Sequence, residues 1–378
     1  QGCAYFNTFY NTKKYFNEGL KAIERAKNQA KTQPRTAPVQ AQSRRYPATI
    51  KRKGPIAGLL SFNKCIEKGS KLLELYPNSK WVDDCLYILG RAFYYKQEYE
   101  EASKKFEELC TIFPDSKFVP EARLWWGKTF IEMKDYIRAE EQFREVINLN
   151  TKESLKNEAL LGLAEILFLQ EKYDQAIDEF KKIVSRIDDK ELRAEAQFKI
   201  GECYFRLNDY KSAAENYYKA RKFSQTQEQR YQSEFRYGIS KKNIGDYGEA
   251  VNIFKNLLSD GKNVEHFPEL RIQTADCLKR EGRLDEAISI YEDIGNIYPK
   301  TVFASEAYYN MGMIYYKDYL NFEKAYESFK KSQEAYPRSE PSEKALKIIK
   351  DIEEMNRIKK EIESEKSKDE NIEVSGDS

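Results

Sequence analysis

The chain has 378 residues with 64 basic and 62 acidic side chains, and a net charge of +2 gives no global attraction to nucleic acid. Its 40% apolar and 33% charged content is globular, enough for two or three domains or one elongated array. No run approaches the roughly 18–20 apolar residues of a membrane span.

In chain order, "QGCAYFNTFYNTKKYF" comes first, with Cys3 at the very start and Tyr5, Phe6, Phe9, Tyr10, Tyr15 and Phe16 crowded behind it. Residues 1–30 are expected to hold an attachment terminus and a degenerate first helical unit, "FNEGLKAIERA", with Gly19 at the marker position of the repeat set out below. From Arg25 to Lys64 there are ten basic residues, no acidic one, and four prolines at Pro34, Pro38, Pro47 and Pro55. Residues 31–55 are therefore read as a basic linker. A bare tether needs no such bias, so Arg44, Arg45, Lys51, Arg52 and Lys53 are candidates for contact with anionic headgroups or an acidic partner.

Residues 56–340 are dominated by self-similarity. Ala102 in "YEEASKKF" recurs as Ala139, Ala176, Ala213, Ala250, Ala287 and Ala325, at five intervals of 37 residues and one of 38. Three residues before each marker stands Tyr99, Tyr136, Tyr173, Tyr210, Tyr247, Leu284 or Phe322, and four after it an aromatic from Phe106 to Phe329. Twelve before it lies Gly90, Gly127, Ala164, Gly201, Gly238 or Ala275, with Gly312 thirteen before the last. Offsets of three and four share one helical face, and the small residues mark where two helices approach closely. Each unit reads as helix–turn–helix, stopped by Pro77, Pro114, Pro299 or Pro337 at four junctions. One unit cannot bury its apolar face alone, so the units must stack. Residues 341–363 read as a capping helix, and the charged 364–378 as a disordered tail.

This pattern resembles the tetratricopeptide repeat, here with a 37-residue unit. The resemblance implies an all-α fold, a right-handed superhelical solenoid whose first helices line a concave groove. The phrases "YPNSKWVDDCLYILG", "FPDSKFVPEARLWWG", "YPKTVFASEAYYNMG" and "YPRSEPSEKALKII" at four junctions further resemble the BamD and CpoB (YbgF) class of bacterial envelope proteins. Thr151, Asp188, Gln225 and Lys262 replace the proline at the middle junctions. That class implies a periplasmic scaffold on the outer membrane, and "Gly2-Cys3" looks like the end of a lipobox, which makes Cys3 the acylation candidate.

Groove positions follow from the repeat register: Tyr94, Ile131, Phe168, Phe205, Lys242 and Lys279, then Tyr95, Arg206 and Arg280 one residue on. The groove is thus expected to be apolar and aromatic first, and basic near residues 242–280. It would suit a partner segment with apolar anchors followed by acids. Inter-repeat packing is the competing role for the same aromatics. A row of Asp84, Glu121, Glu158, Glu195, Glu269 and Glu306 reads mainly as charge in first helical turns. Lys241 falls in a core register, where a lysine must snorkel or sit in a gap.

Cys203 and Cys277 share one register and are expected in the core; a disulfide between Cys85 and Cys65 or Cys110 is the alternative for the others. The only histidine is His266, in a loop-like stretch, so His-based triads and multi-His metal sites are excluded. No CxxC, phosphate-binding loop or nucleophile elbow is present, and no enzyme activity, cofactor, metal, nucleic acid or small-molecule substrate is expected. The expected function is a lipid-anchored periplasmic scaffold binding envelope proteins, with outer-membrane protein assembly first. A coordinator of wall synthesis or secretion, and a soluble peptide-binding adaptor, are the alternatives.

Overall fold

The computed structural model describes residues 2–30 and 57–375, and among these the regular structure is entirely helical. The described residues form two compact units, one ending at Ser240 and the other beginning at Lys241. The first holds α1 (Gly2–Ala30), α2 (Leu59–Leu75), α3 (Val82–Tyr95), α4 (Tyr99–Ile112), α5 (Val119–Glu132), α6 (Tyr136–Asn148), α7 (Glu153–Leu169), α8 (Tyr173–Arg186), α9 (Lys190–Arg206), α10 (Tyr210–Phe223) and most of α11 (Gln227–Ile244). The second holds the end of α11, α12 (Tyr247–Ser259), a 3₁₀ turn (Gly261–His266), α13 (Phe267–Arg280), α14 (Leu284–Ile297), α15 (Val302–Lys317), α16 (Phe322–Ala335) and α17 (Glu340–Ser375).

Helices pair through the small residue and the aromatic that the sequence spacing singled out. A Cβ on Gly90 would lie 2.5 Å from Phe106 Cε1, and one on Gly312 would lie 2.7 Å from Phe329 Cε1. The Phe143 ring is held from both sides, by Gly127 of its own partner helix and by Gly162 of the next pair, each leaving 2.6 Å for a Cβ. Every repeat alanine from Ala102 to Ala325 is fully buried.

Between the two helices of a pair the chain reverses in three residues, such as Lys96–Glu98. Five residues before each marker the backbone is left-handed, at Gln97, Lys134, Glu171, Asn208, Gly245, Gly282 and Leu320. Around Gln97 the N–H of Glu98 donates to Phe93 O at 3.0 Å and that of Gln97 to Tyr94 O at 2.9 Å. These two bonds are the helix-ending Schellman pattern, which satisfies carbonyls the helix leaves over and favours glycine at the left-handed residue. Two turns have that glycine; the others hold a side chain in a region L-residues avoid.

The repeat keeps its length while the boundary between loop and helix moves. At the Pro-containing junctions the second helices end two residues before the proline, at Leu75, Ile112, Ile297 and Ala335. Six residues then separate α4 from α5. Where the proline is missing, only three residues separate α8 from α9, and α7 and α9 have 17 residues against 14 in α3 and α5. After these two proline-free junctions the first helix starts one turn earlier relative to its small residue.

Two expectations need correction. α1 is a first helix, because it pairs with α2 and also touches α3. Gly19 therefore holds the small-residue place, with a Cβ position 2.5 Å from Phe62 Cε1, and not the alanine marker of a second helix. The basic segment, whose Arg44, Arg45, Lys51, Arg52 and Lys53 lie outside the described residues, falls in sequence between α1 and α2, so Cys3 and the first packed helix both precede it. Second, α17 runs through Ser375 where a disordered tail was expected from residue 364, since no proline or glycine stands between Ser342 and Gly376. The disulfide left open for Cys65, Cys85 and Cys110 is not formed: these are free thiols, buried like Cys203 and Cys277, and burial pushes the Cys65 thiol up to about 12.

The N-terminal aromatics divide. Phe9 and Phe16 are buried, Phe9 stacking on Trp81 with ring centroids 4.7 Å apart, whereas Phe6 and Tyr10 stay exposed. In the second unit, α17 packs Ala345, Ile349 and Ile352 against α16, while Met355, Ile358 and Ile362 beyond them are exposed.

The turns make a direct stability test. Lys134→Gly is expected to stabilise by about 0.5–1 kcal/mol, the relief of left-handed strain less the entropy glycine adds to the unfolded chain. Gly282→Ala, with no atom near its Cβ position, should cost about 1 kcal/mol from backbone strain alone. Denaturant titration of both variants checks the pair of signs.

Candidate partner-binding face

The first helices of successive pairs lie side by side in the first unit, α1 beside α3, α3 beside α5, α5 beside α7 and α7 beside α9. The face they share carries a cross-helix ladder of polar contacts in register with the small residues. One residue after the small position, Glu165 accepts from Lys199 Nζ at 2.9 Å, and Glu202 pairs with Arg236 Nε at 3.3 Å. Both cations stand two residues before the small position of the next unit. Lys128 Nζ reaches Glu158 at 2.9 Å, and Tyr99 Oη donates to Glu132 at 3.3 Å. In the second unit, Lys242 Nζ donates to Gln273 at 2.8 Å and to Asp276 at 3.0 Å.

Two of these carboxylates also serve the core. Tyr217 and Tyr291 replace the repeat phenylalanine and are fully buried. Their hydroxyls donate to Glu202 and Asp276, each at 2.6 Å. A buried phenol needs an acceptor. The acid that supplies it lies fifteen residues earlier in the same unit, one after the small residue. That link was open to sequence reasoning and missed, because Tyr and Phe had been treated as one class.

The predicted groove residues are placed as follows. Tyr94 and Tyr95 on α3, Ile131 on α5 and Phe205 on α9 are half-buried. Tyr94 meets the rings of Tyr95, Tyr99 and Trp125 at 5.2–5.8 Å, and Tyr95 stacks on Phe62 at 5.6 Å. Burial first, and Glu132 second, raise the Tyr94 phenol well above its ordinary value. Phe168 is buried at 7% exposure, with the edge of Tyr173 against it and Lys199 Nζ 5.1 Å from its ring centre, so it has little surface to offer. Phe205 meets Tyr210 at 5.1 Å and the guanidinium of Arg236 at 5.9 Å; Arg206 beside it is half-buried.

In the second unit, Arg280 is exposed and Lys279 half-buried, its ammonium titrating below the ordinary lysine value chiefly through desolvation. The Lys242 ammonium is engaged by Gln273 and Asp276, which narrows the basic patch to Lys279 and Arg280. Lys241 snorkels as its register required, ending on Asp246 Oδ2 at 2.9 Å. His266, expected in a loop, is buried in the 3₁₀ turn with Nε2 3.3 Å from Glu265.

The acidic row is only partly a set of first-turn charges. Asp84, Glu121 and Glu269 do stand in first turns. Glu158, Glu195 and Glu306 stand further in, because α7, α9 and α15 begin earlier. Glu195 is solvent-exposed, yet its carboxyl titrates above the ordinary glutamate value, through desolvation first and the charge of Glu165 second.

The description "Tetratricopeptide repeat-like domain" matches residues 87–237, and "Tetratricopeptide repeat" matches residues 245–310 and again 306–339. No curated protein matches the chain in sequence. Among solved structures, a tetratricopeptide repeat protein from Parabacteroides merdae is similar at 18% identity and a TM-score of 0.45, over 71% of this chain and 98% of that one. The C-terminal part of a repeat protein from Cytophaga hutchinsonii is similar at 13% identity and a TM-score of 0.44, over 75% and 94%. YrrB, described as a tetratricopeptide protein with an unusual peptide-binding site, is similar at 23% identity and a TM-score of 0.41, over 55% and 99%.

Two measurements probe the ladder. Glu202→Ala removes the acceptor of Tyr217 and the carboxylate beside Arg236, and is expected to cost about 2–4 kcal/mol. Tyr217→Phe in that background should recover part of the loss, read from a double-mutant cycle in urea. Glu195 holds its proton more tightly folded than unfolded, so its ionisation weakens the fold as pH rises through and above the ordinary glutamate value. Glu195→Gln should therefore raise the melting temperature slightly at pH 7 and leave it unchanged at pH 3. Helix pairing, turns and register agree with the matched descriptions: residues 87–339 are built of tetratricopeptide repeats, the repeat of protein-interaction scaffolds.

Proposed function

We propose that this chain is a non-catalytic, lipid-anchored periplasmic scaffold that binds partner proteins of a bacterial cell-envelope machine, with outer-membrane protein assembly the first candidate. The carrying observation is the position of Cys3. It follows Gly2 in a lipobox-like pair and stands one residue into α1, itself the first helix of the packed array. Phe9, only six residues on, is already buried against Trp81. An acyl chain on Cys3 would thus hold the repeats directly, and acyl groups contribute roughly 0.8 kcal/mol per buried CH₂.

The junction phrases that resemble the BamD and CpoB class support the same compartment. Half-buried aromatics at Tyr94, Tyr95 and Phe205 support an apolar contact with an extended or helical segment.

Mass spectrometry of the protein extracted from membranes is expected to find Cys3 acylated, and Cys3→Ser to release the chain into the soluble fraction. An unmodified Cys3 in membrane-extracted protein overturns the anchor. Affinity purification of the anchored form then separates assembly of outer-membrane barrels, which should recover a barrel assembly protein, from wall synthesis or secretion.

A further inference from the structure

The junction between α3 and α5 differs from the α7–α9 and α9–α11 junctions in the same two register positions. One residue after the small position, where α7 and α9 carry Glu165 and Glu202, α3 carries Arg91. Two residues before the next small position, where α9 and α11 carry Lys199 and Arg236, α5 carries Trp125. The ion pair of those two junctions is here replaced by a cation on a ring, with the Arg91 guanidinium carbon 4.6 Å from the Trp125 centroid.

Three more rings enclose that guanidinium: Phe16 of α1 at 5.1 Å, Tyr87 at 5.5 Å and Tyr95 at 5.9 Å. The rings stabilise the charge through their faces but offer few acceptors for its five N–H donors. The Tyr87 and Tyr95 hydroxyls stand 3.5 Å from the two terminal nitrogens, at the outer limit of hydrogen bonding. Nε is enclosed with no hydrogen-bond partner. No carboxylate of the described residues lies within ion-pair distance of Arg91, although Arg91 keeps partial access to solvent.

Arginine cannot relieve this by losing a proton. Its planar fork is matched by a carboxylate, which accepts two parallel, charge-assisted bonds. We propose that Arg91 is the anchor of a peptide site, a ring-walled pocket that seats one aspartate or glutamate side chain of an extended partner segment whose flanking apolar residues lie on Tyr94 and Tyr95. The site rests on the reading of the array as a partner-binding scaffold, and is independent of the anchor at Cys3. The partner supplies from outside the carboxylate that the α7–α9 and α9–α11 junctions supply from within the chain. Apolar contacts supply area, and the carboxylate sets register along the face.

The test selects random dodecapeptides displayed on phage against the full chain and measures enriched sequences as C-terminally amidated peptides. Enriched peptides should share an acidic residue next to apolar ones. Arg91→Gln should weaken them at least tenfold, Arg91→Lys less. Changing the peptide acid to its amide should cost the same factor on the wild-type chain and little on Arg91→Gln. Melting curves check the variants; should Arg91→Gln unfold the chain, Arg91→Lys and the amide series on the wild type carry the comparison. Enriched peptides without an acid, or effects that simply add, overturn the site and leave the scaffold reading standing. Absence of any enriched peptide overturns both.

Discussion

In each helix pair one contact sets the geometry: an aromatic ring on the second helix against a glycine or alanine on the first. At Gly127 the space left for a Cβ is 2.6 Å from the Phe143 ring, below any real carbon contact. Close approach of this kind requires the small residue, and it fixes how far the next pair can stand from the last. Gly162 shows the propagation, since it touches the same ring from the following unit. Because the interior is close-packed, a shift at one ring is passed to its neighbours instead of being absorbed. The constancy of the 37-residue period follows from this. What must repeat is the distance along the chain between packing positions, and loops adjust around it.

The polar ladder on the first-helix face is a second, weaker register. Glu165–Lys199 and Glu202–Arg236 tie the first helices of successive pairs across the same two positions. A partly exposed pair such as Glu165–Lys199 contributes little on its own, whereas Arg236 of the other pair is buried. Glu202 and Asp276 differ because each also accepts a hydroxyl from a fully buried tyrosine. Surface charge and core packing are coupled there through a single carboxylate.

Much of this was legible beforehand, for a physical reason. Small residue, alanine and aromatic recur at helical offsets, so pairing, turn position and the proline stops could be read directly. α1 could not be placed, because its partner lies beyond a long insertion and the packing pair is exchanged. Phe62 and Gly69 on α2 stand where other units have tyrosine and phenylalanine, and Leu89 fills the space over Gly69. The acidic row is not uniform, since α7, α9 and α15 start earlier relative to the small residue than α3, α5 and α13 do. Gln97, Lys134 and Glu171 conceal the left-handed turn register because only Gly245 and Gly282 announce it. Arg91 escaped notice among groove positions, because only the rings of three different helices reveal what surrounds it.

α1 has a further consequence. At 29 residues it is a rod about 43 Å long, from the 1.5 Å rise of a helix. Cys3 is the second residue of this rod. Phe9 and Phe16 fasten the rod to the repeats along the way. An anchor on such a rod would govern orientation as well as attachment, because no slack separates it from the packed helices. A membrane that captured Cys3 would constrain which way the array leans.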